Sequence, residues 1–163
     1  MPASITEDYL ALEKEYVGQS LSILPVVLDR AQNAHVWDVE GNRYIDFMSC
    51  FSVVNQGHCN PRLTKAMIEQ CQRLTLSSRA YCNRHYPLLC EKLCKLLGFE
   101  MGFAMNSGSE IVDMTVKIAR KWGYKVKAIP PDQALVVTVT QNFHGRTMAP
   151  LAGSNDEANK SGR

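Results

Sequence analysis

Between a short apolar stretch and a helix-like run, the sequence places Asn106, Ser107, Gly108 and Ser109, within "MNSGSE". Small residues with hydroxyl or amide side chains have two physical uses at such a junction. Ser107 or Ser109 can cap the helix, accepting a hydrogen bond from one of its first, otherwise unpaired N–H groups. The same N–H groups, with the positive end of the helix dipole and two hydroxyls, can instead seat an anion. Gly108 would then let the anion approach the backbone. The loop is neither a Walker motif nor G-x-G-x-x-G, so nucleotide binding has no specific support. Spacing alone leaves cap and anion seat both open.

Two other groups of residues could do chemistry. "CNRHYPLLCEKLC" brings Cys82, His85, Cys90 and Cys94 close in sequence, but the x2-x4-x3 spacing is not a recurrent zinc pattern. Cys90 and Cys94 also interleave with Leu89, Leu93 and Leu97, as small core residues do on an amphipathic helix. "NFHGRT" carries Phe143, His144 and Arg146. On residue types alone, the first two read as packed loop aromatics and the arginine as a solvated charge.

The elements that must position these residues follow from periodicity and turn chemistry. A strand at Met101–Met105, a helix at Ile111–Trp122 and a β-branched strand at 134–140 flank the "MNSGSE" loop. "HYPLLCEKLCKLLG" reads as a helix closed by Gly98. Upstream, Asn60 caps a helix with Pro61 in its first turn and Leu63, Met67, Gln70 and Leu74 along one face. Two short β runs, His35–Asp38 and Arg43–Phe47, surround Glu40-Gly41-Asn42 as a hairpin. Helices alternating with strands predict an α/β fold of parallel-sheet character. Two recognisable strands are few for a finished sheet, and "AGSNDEANKSGR" has no apolar anchor, so a truncated domain with a ragged tail at 152–163 is expected.

Bulk properties exclude several classes of function. The 163 residues are 45% hydrophobic, enough for a core, and 18 basic against 16 acidic residues leave a net charge of +2. That balance gives no field to draw nucleic acid or a membrane surface. No apolar run approaches the roughly 18 residues of a membrane span. Glu7, Asp8, Glu13 and Glu15 fit neither a signal peptide nor a transit peptide, so the cytosol is the expected compartment. Without signs of secretion, the six cysteines are expected as free thiols.

Taken together, "VNQGHCNP", "LTLSSRA", "MNSGSE", "ARKWGY" and "NFHGRT" occur in the order and spacing of one family. From about Val17 to Leu151 the chain resembles the ornithine aminotransferases, a branch of the class III pyridoxal-phosphate-dependent aminotransferases of type I fold. The resemblance implies an N-terminal hairpin segment at 1–48 and the start of the large cofactor-binding domain at 49–151. It implies pyridoxal 5'-phosphate as cofactor, an amino acid and a 2-oxo acid as substrates, and a homodimer for the full-length protein. Ser107, Gly108 and Ser109 match the loop that holds the cofactor phosphate. Phe143 and His144 match the pair beside the pyridine ring, where flat side chains fix the ring plane. Arg146 matches the arginine that forms a bidentate pair with a substrate carboxylate.

The departures from the family are specific. His144 replaces a tryptophan usual in the ornithine enzymes. Phe51 stands where those enzymes carry a substrate-site tyrosine, and Leu21 where a second one is expected. A missing hydroxyl weakens discrimination between ω-amino acids, such as ornithine and acetylornithine. "IVDM" replaces a pattern of small residues and glutamate, and the bulk of Ile111 is expected to crowd the helix against the sheet. None of the lysines (14, 65, 92, 95, 117, 121, 125, 127, 160) lies in the family's Schiff-base motif. No catalytic residue is therefore expected within this sequence, and the chain by itself is expected not to transaminate. Two alternatives stand beside this reading: a non-catalytic chain that pairs with a full-length subunit, and a small zinc module.

Overall fold

A computed structural model describes residues 4–18 and 22–155; Leu21, Lys160 and most of the expected tail lie outside the described residues. The chain divides into two units, Met1–Tyr81 and Cys82–Arg163.

In the first unit, α1 (Ile5–Tyr16) opens with a capping box in which Ser4 and Glu7 satisfy each other's backbone N–H. The expected hairpin is present, with a third strand before it. β1 (Leu28–Gln32), β2 (His35–Asp38) and β3 (Arg43–Ile45) form an antiparallel sheet in that order, with Ala31 opposite Val36 and Val36 opposite Tyr44. β1 carries no strand signal of its own, because "LDRAQ" lacks alternation. It is made a strand by pairing across a turn at Asn33, whose φ is +53°. Val36 is buried at the centre of the sheet, 6% exposed. Asp38 fixes the hairpin turn, accepting hydrogen bonds from the Glu40 and Asn42 amides, the Asn42 side chain and the Tyr44 hydroxyl. Those donors, the Asn42 side chain foremost, hold the Asp38 carboxyl below the usual carboxylate range. The bond to Asp38 raises the Tyr44 phenol in turn.

β3 ends at Ile45 rather than Phe47 because Asp46 turns the chain. Its carboxylate accepts from the Met48 and Ser49 amides and lies 2.7 Å from His58 Nε2. The next element, α2 (Ser49–Ser52), is a single left-handed turn, with φ of +48°, +49°, +55° and +69° at four consecutive non-glycine residues. Left-handed backbone costs about 1–2 kcal/mol per such residue, so the turn persists only because its surroundings impose it. His58 supplies part of that constraint: its backbone N–H and C=O both bond Asn33, tying the segment to the β1–β2 turn. α3 (Pro61–Cys71) starts as expected, with the Asn60 side chain accepting from the Arg62 amide. Its apolar face is uncovered; no residue of this helix is buried.

In the second unit, α4 (His85–Leu97) ends at Gly98, whose φ of +74° and ψ of +27° close the helix in the left-handed region. α4 lines a 210 Å³ groove against residues 99–104, where the Ala104 amide donates to the Tyr86 hydroxyl. Cys90 and Cys94 lie in that groove. Among the described residues no three His, Cys, Asp or Glu side chains converge on a metal position, so Cys82, His85, Cys90 and Cys94 form no ligand set. α5 (Gly108–Lys125) is longer at both ends than the expected Ile111–Trp122, and α6 (Met148–Ala152) packs on it.

The expected strands Met101–Met105 and 134–140 carry no ladder among the described residues, so the parallel sheet is not assembled here. A strand exists only through hydrogen bonds to a neighbouring backbone, and neither segment finds one among the described residues. Their side chains are correspondingly open to solvent: Met101 and Val137 are each 90% exposed.

Candidate cofactor-phosphate site

The loop between 105 and α5 resolves the choice between cap and anion seat by doing part of each. Ser107 is the N-cap: its Oγ accepts from the Glu110 amide at 3.2 Å. Glu110 reaches back, and its Oε2 accepts from the Ser107 amide at 3.0 Å and the Asn106 amide at 2.8 Å. The Ser107 N–H is therefore occupied and cannot serve an anion. The signal was legible, because Ser-x-x-Glu before an apolar run is a capping box. What remains is narrower and better defined. Among the described residues the amides of Gly108 and Ser109 have no partner, and the Ser107 hydroxyl keeps its own proton to donate. A Cβ at Gly108 would meet nothing within 4 Å, so the space beside Gly108 is open. An 18-residue helix directs its positive end at the same place.

Facing this helix start is the loop of "NFHGRT". Residues 107–109 with Ile111 and Val112 on one side, and residues 143–146 on the other, enclose an open cleft of 610 Å³. Ser107, Gly108, Ser109, Phe143, His144 and Arg146 thus line one cleft. Ile111 lines the cleft rather than pressing on a sheet. The approach of the two walls is set at Gly145, which has φ of +119°. A Cβ there would fall 2.1 Å from Ser109 Oγ and 2.9 Å from Ser109 Cβ. Only glycine fits, for reasons of both torsion and space. The Arg146 guanidinium carbon lies 5.3 Å from the Phe143 ring centroid, and it has no carboxylate partner among the described residues. A planar cation steered by an aromatic face and left unpaired is available to an anionic ligand.

Two parts of the loop's support were not visible in sequence. Asp113, one turn beyond Ser109 on α5, accepts from Thr147 Oγ1 at 2.7 Å and from the Ala149 amide at 3.3 Å. The Asn142 side-chain amide donates to the carbonyls of Val139 and Gly153, while its own Oδ1 is buried with no partner among the described residues. Phe51 belongs to the first unit, where its ring projects from the left-handed turn and is 86% exposed. No lysine among the described residues lines the cleft; Lys117, Lys121 and Lys125 lie along another face of α5 with Arg120.

These residues fit a phosphate monoester on a flat ring. Two free amides and a hydroxyl meet the phosphate oxygens, and a cleft of this size accommodates a small cofactor. Comparison with known proteins identifies the family. The family profile Aminotransferase class-III matches residues 16–162. The ornithine aminotransferase of Emericella nidulans is 49% identical over 154 residues, covering 94% of this chain and 34% of the relative. A crystal structure of the ornithine aminotransferase from Toxoplasma gondii ME49 superposes with a TM-score of 0.93 at 37% identity, covering 99% of this chain and 38% of that one. An acetylornithine aminotransferase from Elizabethkingia anophelis gives 0.77 at 43% identity, covering 83% and 35%. The chain spans about a third of the length of the curated relatives it matches. The solved neighbours carry the type I fold expected from the motifs.

Proposed function

Since this chain belongs to the class III aminotransferases, a pyridoxal-phosphate-dependent family, we propose that it forms the phosphate-and-ring wall of such a cofactor site. The activity it serves is transfer of the δ-amino group of ornithine to a 2-oxo acid. The observation that carries the reading is the pair of unpartnered amides at Gly108 and Ser109, facing Phe143, His144 and Arg146 across one cleft.

Bound here, the cofactor would supply an electron sink for the substrate carbon that bears the reacting amine, Cδ in ornithine. The chain's own residues hold and orient. The Gly108 and Ser109 amides and the Ser107 hydroxyl donate to phosphate oxygens, and the helix dipole favours the charge. Phe143 and His144 restrict the ring plane from the opposite wall, narrowing the geometries open to the reacting bond. Arg146 pairs with a carboxylate of the substrate through its fork of N–H donors. By resemblance Phe51 is a substrate-contacting residue of the assembled enzyme, and its lack of a hydroxyl would broaden the acceptable amine toward acetylornithine and other ω-amino acids.

No lysine of the described residues reaches the cleft, so proton transfer at the substrate and covalent attachment of the cofactor fall to residues outside this set. None of the chain's lysines lies in the family's Schiff-base motif, and the chain alone is expected to bind cofactor without turning over substrate. Many exposed apolar side chains, Leu63, Met67, Leu135 and Val137 among them, favour assembly with further aminotransferase polypeptide, as a homodimer or as a non-catalytic chain seated on a full-length subunit. Co-purification with an intact subunit that retains full activity without this chain would select the second form.

The test of the site is a titration of the purified chain with pyridoxal phosphate, followed by quenching of tryptophan fluorescence. Saturable binding that inorganic phosphate displaces is expected, with no lysine labelled after borohydride. Binding indifferent to phosphate, or one stoichiometrically labelled lysine, overturns the reading.

A further inference from the structure

The two walls of the cleft are joined by two consecutive turns of α5. Ser109 and Asp113 stand four residues apart, on one face of the helix. Ser109 lies against Gly145, and Asp113 against Thr147 and Ala149. The second contact has an unusual form. Thr147 is the N-cap of α6, yet its side chain makes no capping bond to its own helix. Its hydroxyl instead donates to Asp113 Oδ2, and Asp113 Oδ1 accepts from the Ala149 amide, one of the first N–H groups of α6. Asp113 thus does for α6, from a neighbouring helix, what a capping side chain ordinarily does from within. Pro150, next in the chain, is fully buried and has no N–H to satisfy. Arg146 immediately precedes this clamped segment, and His144 stands three residues before Thr147.

We infer that Asp113 is a positioning residue. It caps α6 from α5 and so fixes the loop carrying Phe143, His144 and Arg146 at its working distance from the amides of Gly108 and Ser109. This inference rests on the cofactor reading above. The carboxylate touches neither the phosphate seat nor the ring wall; it acts through Thr147 and the start of α6.

The experiment compares the wild-type chain with Asp113→Ala, Asp113→Asn, Thr147→Val and the Asp113→Ala/Thr147→Val double variant. It uses three readouts: hydrogen exchange at the Ala149 amide, affinity for pyridoxal phosphate, and affinity for inorganic phosphate, which needs only the α5 side of the cleft. Asp113→Ala should expose Ala149 to exchange and weaken pyridoxal phosphate by about tenfold, the scale of one lost charge-assisted hydrogen bond, with phosphate affinity held. Asn can still accept from Ala149 and donate to Thr147, so Asp113→Asn should recover most of the loss. The double variant should be little worse than Asp113→Ala alone, because the two changes break one interaction.

Unchanged exchange at Ala149 overturns the clamp. Exchange without a loss of cofactor affinity overturns the positioning role, and so does a parallel loss of cofactor and phosphate, which marks general collapse. A wild-type chain that binds neither ligand removes the cofactor reading and the positioning role with it, while exchange at Ala149 separately reports whether the clamp exists.

Discussion

Gly145 offers the sharpest test of the site, because its neighbourhood converts directly into a magnitude. In Gly145→Ala, the new methyl would begin 2.1 Å from Ser109 Oγ, 2.9 Å from Ser109 Cβ and 3.1 Å from Ser109 Cα. Rotating the serine hydroxyl relieves the first contact only. The other two involve the Cβ and the backbone of the first turn of α5, which cannot rotate away. The loop must therefore retreat, and the φ of +119° adds torsional strain for any residue with a Cβ. Overpacking of this kind costs about 1–3 kcal/mol. If the strain is relieved by moving the loop from Ser109, pyridoxal phosphate should bind roughly 5- to 150-fold more weakly, at 1.4 kcal/mol per tenfold. Fluorescence titration with pyridoxal phosphate measures this, with thermal unfolding run beside it to separate misfolding from displacement. Adding Ser109→Gly removes the 2.1 and 2.9 Å contacts and should recover much of the affinity, despite the lost hydroxyl. Wild-type affinity in Gly145→Ala, or no recovery in the double variant, would refute the claim that contact between Gly145 and Ser109 sets the cleft.

Ser107→Ala removes the cap of α5 and should lower stability by about 1 kcal/mol in chemical denaturation, since the Glu110 amide loses its acceptor. Phe51→Gly, at φ of +55°, should raise stability by about 0.5–1 kcal/mol: relief of left-handed strain exceeds the added freedom of the unfolded glycine. A loss of stability there would mean that the ring is packed against something. Phe51→Tyr should leave stability within about 0.5 kcal/mol, because the side chain is exposed. The His58 contact, then the Ser49 and Met48 amides, hold the Asp46 carboxyl below its ordinary range. Its contribution to stability is therefore present above the unfolded-state value and lost as pH falls through the lower folded one. Unfolding curves recorded across acid pH should show that loss, and His58→Ala should flatten it.

Local chemistry wrote much of this molecule into the sequence. Asn60-Pro61, Gly98 and Glu40-Gly41-Asn42 each satisfy or redirect backbone within a few residues, so the helix start, helix end and hairpin turn could be read without partners. Ser107 and Glu110 lie three residues apart, and their reciprocal bonds were likewise open to reading. The spans 101–105 and 134–140 show the opposite limit. Their β-branched and apolar residues specify strand preference, but a ladder depends on which backbone lies alongside, and none does among the described residues. The left-handed turn at Ser49–Ser52 could not be foreseen either, because no residue in "SCFS" favours it; Asp46, His58 and Asn33 impose it from outside.

Residue types and order were enough to name a family, a cofactor and the two segments that meet around it. Tertiary structure alone decided that Gly108 and Ser109, rather than Ser107, keep free amides, that Gly145 must be bare against Ser109, and that Asp113 caps a helix more than thirty positions downstream. The reason is range. Hydrogen bonds within a turn are set by neighbours along the chain, whereas a cleft is set by distances between segments that only folding brings together.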